Sequence, residues 1–177
     1  MRILRAIFLS GAAIICAEAS AEDVDCVENA RRYAAEICAA LRAENLPLEL
    51  SMLPVAESCG KPEAVSDKGA AGVWQLMPFI ARHYGLNPDG RLNVAESSAA
   101  AAKYLKSLYG RFNDVLWTVA AYNAGGHNLK RSTAFKRGMD IRAAKAMPSA
   151  YALAMRVKQL NENFGNLCEQ KEDKHDE

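Results

Sequence analysis

The sequence lacks the marks of several protein classes. It has three histidines, and His83, His127 and His175 stand far apart without ligand spacing. No two cysteines form a Cys-x-x-Cys pair. A metal site is therefore not expected, and no motif asks for a cofactor. Charge of one sign is missing too: 22 Lys and Arg face 21 Asp and Glu, a formal net charge of +1. Without a basic stripe or aromatic-basic interleaving, nucleic acid is not an expected partner. There are no internal repeats, and no period-two alternation long enough to assign a strand. Low complexity is confined to residues 169–177, a charged tail without apolar anchors that is expected to be disordered.

An apolar run of membrane-spanning length is also missing. The run Ile7 to Ile15 is broken by Ser10-Gly11, follows Arg2 and Arg5, and leads to Ala19-Ser20-Ala21. That is the layout of a secretory signal peptide over residues 1–21, too short for a transmembrane helix. Cleavage after Ala21 leaves 177 − 21 = 156 residues, the size of one domain. The mature chain is then exported and carries no transmembrane helix. Ile14-Ile15 before Cys16 stand where a lipidation signal needs small residues.

Setting Cys16 aside leaves Cys26, Cys38, Cys59 and Cys168. An even count in an exported chain predicts two disulfides. If one helix carries Cys26 and Cys38, they lie roughly 18 Å apart. A disulfide needs Cα atoms within about 7 Å. Each should then pair with Cys59 or Cys168, with the assignment open between the two.

What is present reads as helix. Val27, Ala30, Ala34, Ile37 and Leu41 recur at three and four residues, with Asn45 and Pro47 ending that helix. A second helix is expected over Leu48–Glu57, with Pro54 inside it bending the last turn or ending the helix early. Gly60–Gly72 has loop composition. A helix follows over Gln75–Tyr84, with a restart at Pro78 and Gly85 as its stop. Asn93 and Glu96 form a helix-start pair for an alanine-rich helix over Val94–Tyr109, with Ala95, Ala99, Ala102, Leu105 and Leu108 facing inward. Asp114 caps a helix over Val115–Ala124 that Gly125-Gly126 stops. Pro148 opens the last, with the stripe Leu153, Val157, Leu160 and Phe164. The expected fold class is mainly α, with room for one short β-hairpin in the Cys59–Gly72 loop.

One acid stands out. Glu57 follows Leu53-Pro54-Val55-Ala56 and precedes a Ser-Cys-Gly turn. Burial against such groups raises a carboxyl pKa, because the charged form loses its water. On these residues alone, a solvated glutamate at a helix end is the simpler reading. Three motifs shift the balance. Leu53-Pro54-Val55-Ala56-Glu57-Ser58 resembles the glutamate-serine motif of the SLT family of lytic transglycosylases. Gly69-Ala70-Ala71-Gly72-Val73-Trp74-Gln75-Leu76-Met77-Pro78 resembles that family's second motif, and Ala120-Ala121-Tyr122-Asn123-Ala124-Gly125-Gly126 its third. They follow one another in family order at family-like separations. The Trp-Gln form of the second motif points toward the branch typified by membrane-bound murein transglycosylase D, although no carbohydrate-binding repeats appear in this sequence.

The resemblance implies a lysozyme-like (SLT) helical domain over residues 22–168 and peptidoglycan glycan strands as the substrate. It makes Glu57 the sole catalytic acid and base, and it places the exported chain in the bacterial periplasm, or on the cell-wall side. Among candidate substrate-binding residues, Ser58 either bonds near the sugar acetamide or caps its helix. Gly69 and Gly72 permit a tight loop beside the glycan, or serve ordinary turns. Gln75 resembles the family's cleft-lining glutamine, Met77 lines the cleft or packs, and Trp74 reads as core rather than a sugar platform. Tyr122 faces the cleft near the glutamate, or only packs, while Asn123 braces the helix end. The family's closing Glu-Thr-x-x-Tyr-Val motif is reduced here to Met147-Pro148-Ser149-Ala150-Tyr151-Ala152, which leaves Tyr151 as the candidate for holding Glu57. Proline usually follows the third motif; Gly126 and His127 stand there instead, and His127 is given no role. A lysozyme-like hydrolase would need a second carboxylate, with Glu63 and Asp67 the near candidates. A non-catalytic wall-binding protein is the third reading, and an envelope-spanning assembly is a candidate partner.

Overall fold

The computed structural model describes residues 19–125 and 140–169. Residues 1–18 with Cys16, residues 126–139 with Gly126 and His127, and the segment beyond Glu169 lie outside the described residues. The first helix, α1 (Ala21–Arg31), opens on Ser20, whose hydroxyl accepts from the Asp23 N–H while the Asp23 carboxylate accepts from the Ser20 N–H. The expected single helix is in fact two. The chain turns at Arg32-Tyr33, where the Tyr33 N–H bonds to Ala30 O at 3.0 Å, and α2 (Ala34–Ala43) begins. The periodic apolar stripe continues across the turn, which is why it reads as one helix.

The two disulfides are Cys26–Cys59 and Cys38–Cys168. Each cysteine of the first helical region has found one of the two distant partners.

The expected helix over Leu48–Glu57 is a 3-10 turn, Leu48–Met52, followed by the six-residue α3 (Leu53–Ser58). Pro54 therefore opens α3, where its missing N–H costs nothing, and does not bend a helix from inside. Cys59 closes α3 in the left-handed region at φ 56°. The hairpin expected in the next loop is reduced to two isolated bridges, Val65–Ala71 and Ala71–Leu76. Helix α4 runs from Pro78, the expected restart, to His83; the expected opening at Gln75 is not helical, because Gln75 is left-handed at φ 47°.

A 3-10 turn over Pro88–Leu92 leads to α5 (Val94–Phe112). The Asn93 side chain accepts from the Glu96 N–H at 3.1 Å, as its position predicts. Ala102, Leu105 and Leu108 are buried, but Ala95 and Ala99 are exposed, and Val94, Ser97, Ser98 and Ala101 face the core in their place. The inward face is thus rotated by about one residue in the first turns.

Asp114 caps α6 (Val115–Ala124) through the Trp117 N–H at 2.8 Å. From Trp117 to Tyr122 every residue of α6 is buried, so it is the central helix, apolar on all sides. After a 3-10 turn over Ile141–Ala146, α7 (Pro148–Phe164) lies along α6. Val157 and Leu160 are buried as expected, whereas Leu153 and Phe164 are only half-buried and Ala150 and Ala154 are buried in their place. Asp23, buried on α1, pairs with Arg156 of α7. Burial pushes that carboxyl up, but the bonds from Arg156 and Ser20 outweigh it and hold it below the ordinary range. None of the helices among the described residues is long and apolar enough to cross a membrane.

Candidate active site

Glu57 sits at the next-to-last position of α3. Its carboxyl is pushed up to about 7, and the cause is loss of water on burial. No cation or hydrogen bond contributes to offset that shift. A carboxyl in this state holds its proton near neutrality and can donate it.

Tyr122, on the central helix, is buried and lies within electrostatic reach of Glu57. Burial pushes its phenol well up, and the Glu57 and Tyr104 charges push it further. The phenol stays protonated and donates to Trp74 O at 2.6 Å. Its proton is therefore committed to the loop rather than to Glu57. Tyr122 continues into a row of rings: Tyr104 at 5.2 Å, then Tyr84 at 5.7 Å from Tyr104, then His83 edge-on at 4.8 Å from Tyr84. The row runs along a cavity of about 630 Å³, which Gln75, Met77, Tyr122 and Asn123 also line. Glu57 does not itself line this cavity; Tyr122, which does, lies within electrostatic reach of it.

The loop of the second motif is rigidly tied. Ala71 and Leu76 exchange backbone bonds at 3.1 and 3.0 Å. Arg91 grips the loop from outside, its Nη1 donating to Gly69 O at 2.7 Å and Leu76 O at 2.9 Å. A Cβ on Gly72 would fall 1.9 Å from Arg91 O, at a backbone φ of +78°. Gly72 is thus needed for backbone to meet backbone. Ser58 is buried, with its Oγ 3.0 Å from Pro54 O and 2.9 Å from Val73 O. Its single proton is shared between those carbonyls, which ties α3 to the loop and leaves no donor for a sugar. Trp74 is fully buried and donates from Nε1 to Ser98 Oγ at 2.8 Å; it is core.

Gln75 is half-buried at the cavity wall. Its amide nitrogen donates to Ala64 O at 3.1 Å and Gly72 O at 2.9 Å, so the carbonyl end is the part available to a ligand. Met77 is half-buried and Asn123 exposed at the wall. Tyr151 is not brought to Glu57 by a hydrogen bond; Lys145 Nζ sits 5.9 Å from its ring centroid. Glu63 lines a separate small recess with Arg32, Tyr33 and Lys61, and Asp67 is exposed. Among the described residues, no carboxylate lines the large cavity. Among the described residues, no group of three His, Cys, Asp or Glu could hold a metal.

The motifs did not reveal Tyr84, Tyr104, Ser107 or Arg111. A signal was available on α5: Tyr104, Ser107, Leu108 and Arg111 follow at i, i+3, i+4 and i+7, one helical face, and all four line the cavity.

Residues 35–144 match the Transglycosylase SLT domain family. The chain belongs to the SLT transglycosylase family. It is 41% identical over 106 residues to membrane-bound lytic murein transglycosylase D of Escherichia coli, covering 57% of this chain and 24% of that protein. It is 36% identical over 108 residues to an Alteromonas protein named for tributyltin chloride resistance, covering 58% of this chain and 52% of that one. Membrane-bound lytic murein transglycosylase F of Marinobacter nauticus is 33% identical over 86 residues, 44% of this chain and 17% of its own length. The chain thus spans about a quarter of its Escherichia coli relative and about half of the Alteromonas one. The SLT match takes in all three motifs, with α3, the tied loop and α6 inside it.

Proposed function

We propose that the protein is a lytic transglycosylase that cleaves the β-1,4 bond between N-acetylmuramic acid and N-acetylglucosamine in peptidoglycan. One observation carries this reading: Glu57 is held near pH 7 by burial, with no second carboxylate contributing to the shift. Glu57 donates its proton to the glycosidic oxygen as the bond to C1 breaks. The carboxylate so formed then takes the proton of the same sugar's C6 hydroxyl, whose oxygen closes on C1. The product is a 1,6-anhydro sugar, and Glu57 ends protonated as it began. The sugar's acetamide stabilises the positive charge on C1, so the substrate fills the place of a second carboxylate. An internal nucleophile also avoids the entropy of recruiting water.

A lysozyme-like hydrolase is less well supported. Its two acids would face each other within about 10 Å and would raise one another's pKa, yet burial is the one cause acting on Glu57. A non-catalytic wall-binding protein would have no use for a half-buried acid that holds its proton near neutrality at this position. We place the mature protein in the periplasm, after export by the leader over residues 1–21. General wall turnover and local opening of the wall for an envelope-spanning assembly both suit a catalytic domain of this size.

The test is to incubate the protein and its Glu57→Gln variant with purified peptidoglycan and weigh the products. Anhydro-ended fragments, lighter by one water than hydrolysis products, are expected from the first protein alone. Fragments ending in a reducing sugar would establish the hydrolase instead.

A further inference from the structure

Among the described residues, the cavity beside Tyr122 is lined by positive side chains and by no acidic ones. Apart from the tyrosines, the ionisable groups among them are Arg111 and His83. Arg111 is exposed in the last turn of α5, and among the described residues it has no ion-pair or hydrogen-bond partner. A guanidinium offers donors in a flat fork that fits a carboxylate by two parallel bonds. The face of α5 that supplies Tyr104 to the ring row brings Arg111 to the same cavity. α4 contributes Phe79, 60% exposed, an apolar surface in the same cavity. The volume of about 630 Å³ suits an organic ligand with one charged group rather than a bare ion. A polymer of neutral N-acetylglucosamine would leave the cation unused.

We infer that Arg111 determines specificity by selecting glycans that bear a carboxylate on the lactyl arm of the muramic sugar over neutral N-acetylglucosamine polymers. The carboxylate is either the free lactyl group or one carried by a peptide attached to it. The inference rests on reading the site as a glycan-cleaving one.

The test uses the full chain with Glu57→Gln, so that ligands are bound and not consumed. Three probes are titrated by calorimetry: chitotetraose, a peptide-free tetrasaccharide with free lactyl groups, and the same tetrasaccharide bearing stem peptides. At least one carboxylated probe should bind about tenfold more tightly than chitotetraose, the effect of one charge-assisted contact. Adding Arg111→Gln should bring that ratio to within about twofold, and Arg111→Lys should restore part of it. Preference for the peptide-free or the peptide-bearing probe tells which carboxylate is read. A ratio unmoved by Arg111→Gln, or no binding of any probe, overturns the inference. Product masses from protein with Glu57 intact separate the two readings. Anhydro products with an unmoved ratio sink only the role of Arg111. No anhydro products with an Arg111-dependent ratio sink only the reaction.

Discussion

At Glu57 the same burial that keeps the carboxyl protonated near neutrality also weakens the fold. The carboxyl titrates near 4.5 in the ordinary case and near 7 here. Above pH 7 the folded protein must hold a charge that has lost its water, whereas the unfolded chain ionises freely. Between these values the folded state binds more protons, so stability falls as pH rises. Glu57→Gln removes that cost. Relative to the parent, the variant should gain up to about 3 kcal/mol between pH 5 and pH 8, read as a difference in melting temperature that widens with pH. The same titration predicts that kcat/KM declines as pH rises through about 7, because the ionised acid has no proton to donate. Activity holding level to pH 9 would remove Glu57 as the donor. Tyr122 acts differently. Tyr122→Phe leaves the buried Trp74 carbonyl without its 2.6 Å donor, which should cost about 1–3 kcal/mol. Melting temperature should fall while the pH limb near 7 stays in place, since that phenol does not bond to Glu57. The glutamate was legible in the sequence only through its motif; its apolar lead-in gave a direction for the shift but not a cavity.

At the scale of elements, the second-motif loop is where glycine placement decides the geometry. Gly69 and Gly72 have nearly the same positive φ, +79° and +78°, but Gly69 faces open space whereas Gly72 meets Arg91 O. Gly69→Ala should cost about 1 kcal/mol from backbone strain alone. Gly72→Ala adds a clash with backbone and should cost about 3 kcal/mol or more, with loss of cleavage as the loop leaves Arg91. Equal effects in denaturant unfolding would show that the loop yields at Gly72. Sequence reading left both glycines open between a loop beside the glycan and ordinary turns, because spacing cannot tell a ligand from another stretch of backbone. The same limit explains the helices. Local signals located the α5, α6 and α7 starts, where Asn93, Asp114 and Pro148 act on their own turns. They missed the break between α1 and α2, where the packing of Gly60 against the Ala30 backbone helps fix how α1 meets α3. That contact spans thirty residues and leaves no trace in periodicity.

For the whole molecule, the two disulfides divide stability from positioning. Cys26–Cys59 closes a separation of 33 residues and Cys38–Cys168 one of 130. By chain entropy these restrain the unfolded state by about 4 and about 5 kcal/mol. The outer bridge fastens the segment after α7 to α2, and that segment is held a second time where the Leu167 N–H meets Ser51 Oγ at 2.9 Å. The inner bridge ends at Cys59, two residues from Glu57, in the left-handed residue that closes α3. A helix of six residues has little stability of its own, so its end depends on that anchor. Removing Cys38 and Cys168 together, as serines, should lower the melting temperature by about 10 °C and leave cleavage at 20 °C within about twofold of the parent, a change of about 0.4 kcal/mol in the barrier. Removing Cys26 and Cys59 together should cost similar stability and also lower kcat at 20 °C by about tenfold, because a small displacement of Glu57 is multiplied in the rate. If both pairs lowered the melting temperature but neither touched kcat, the position of Glu57 would be set by Ser58 and the Val73 carbonyl of the loop that it bonds, not by the bridge.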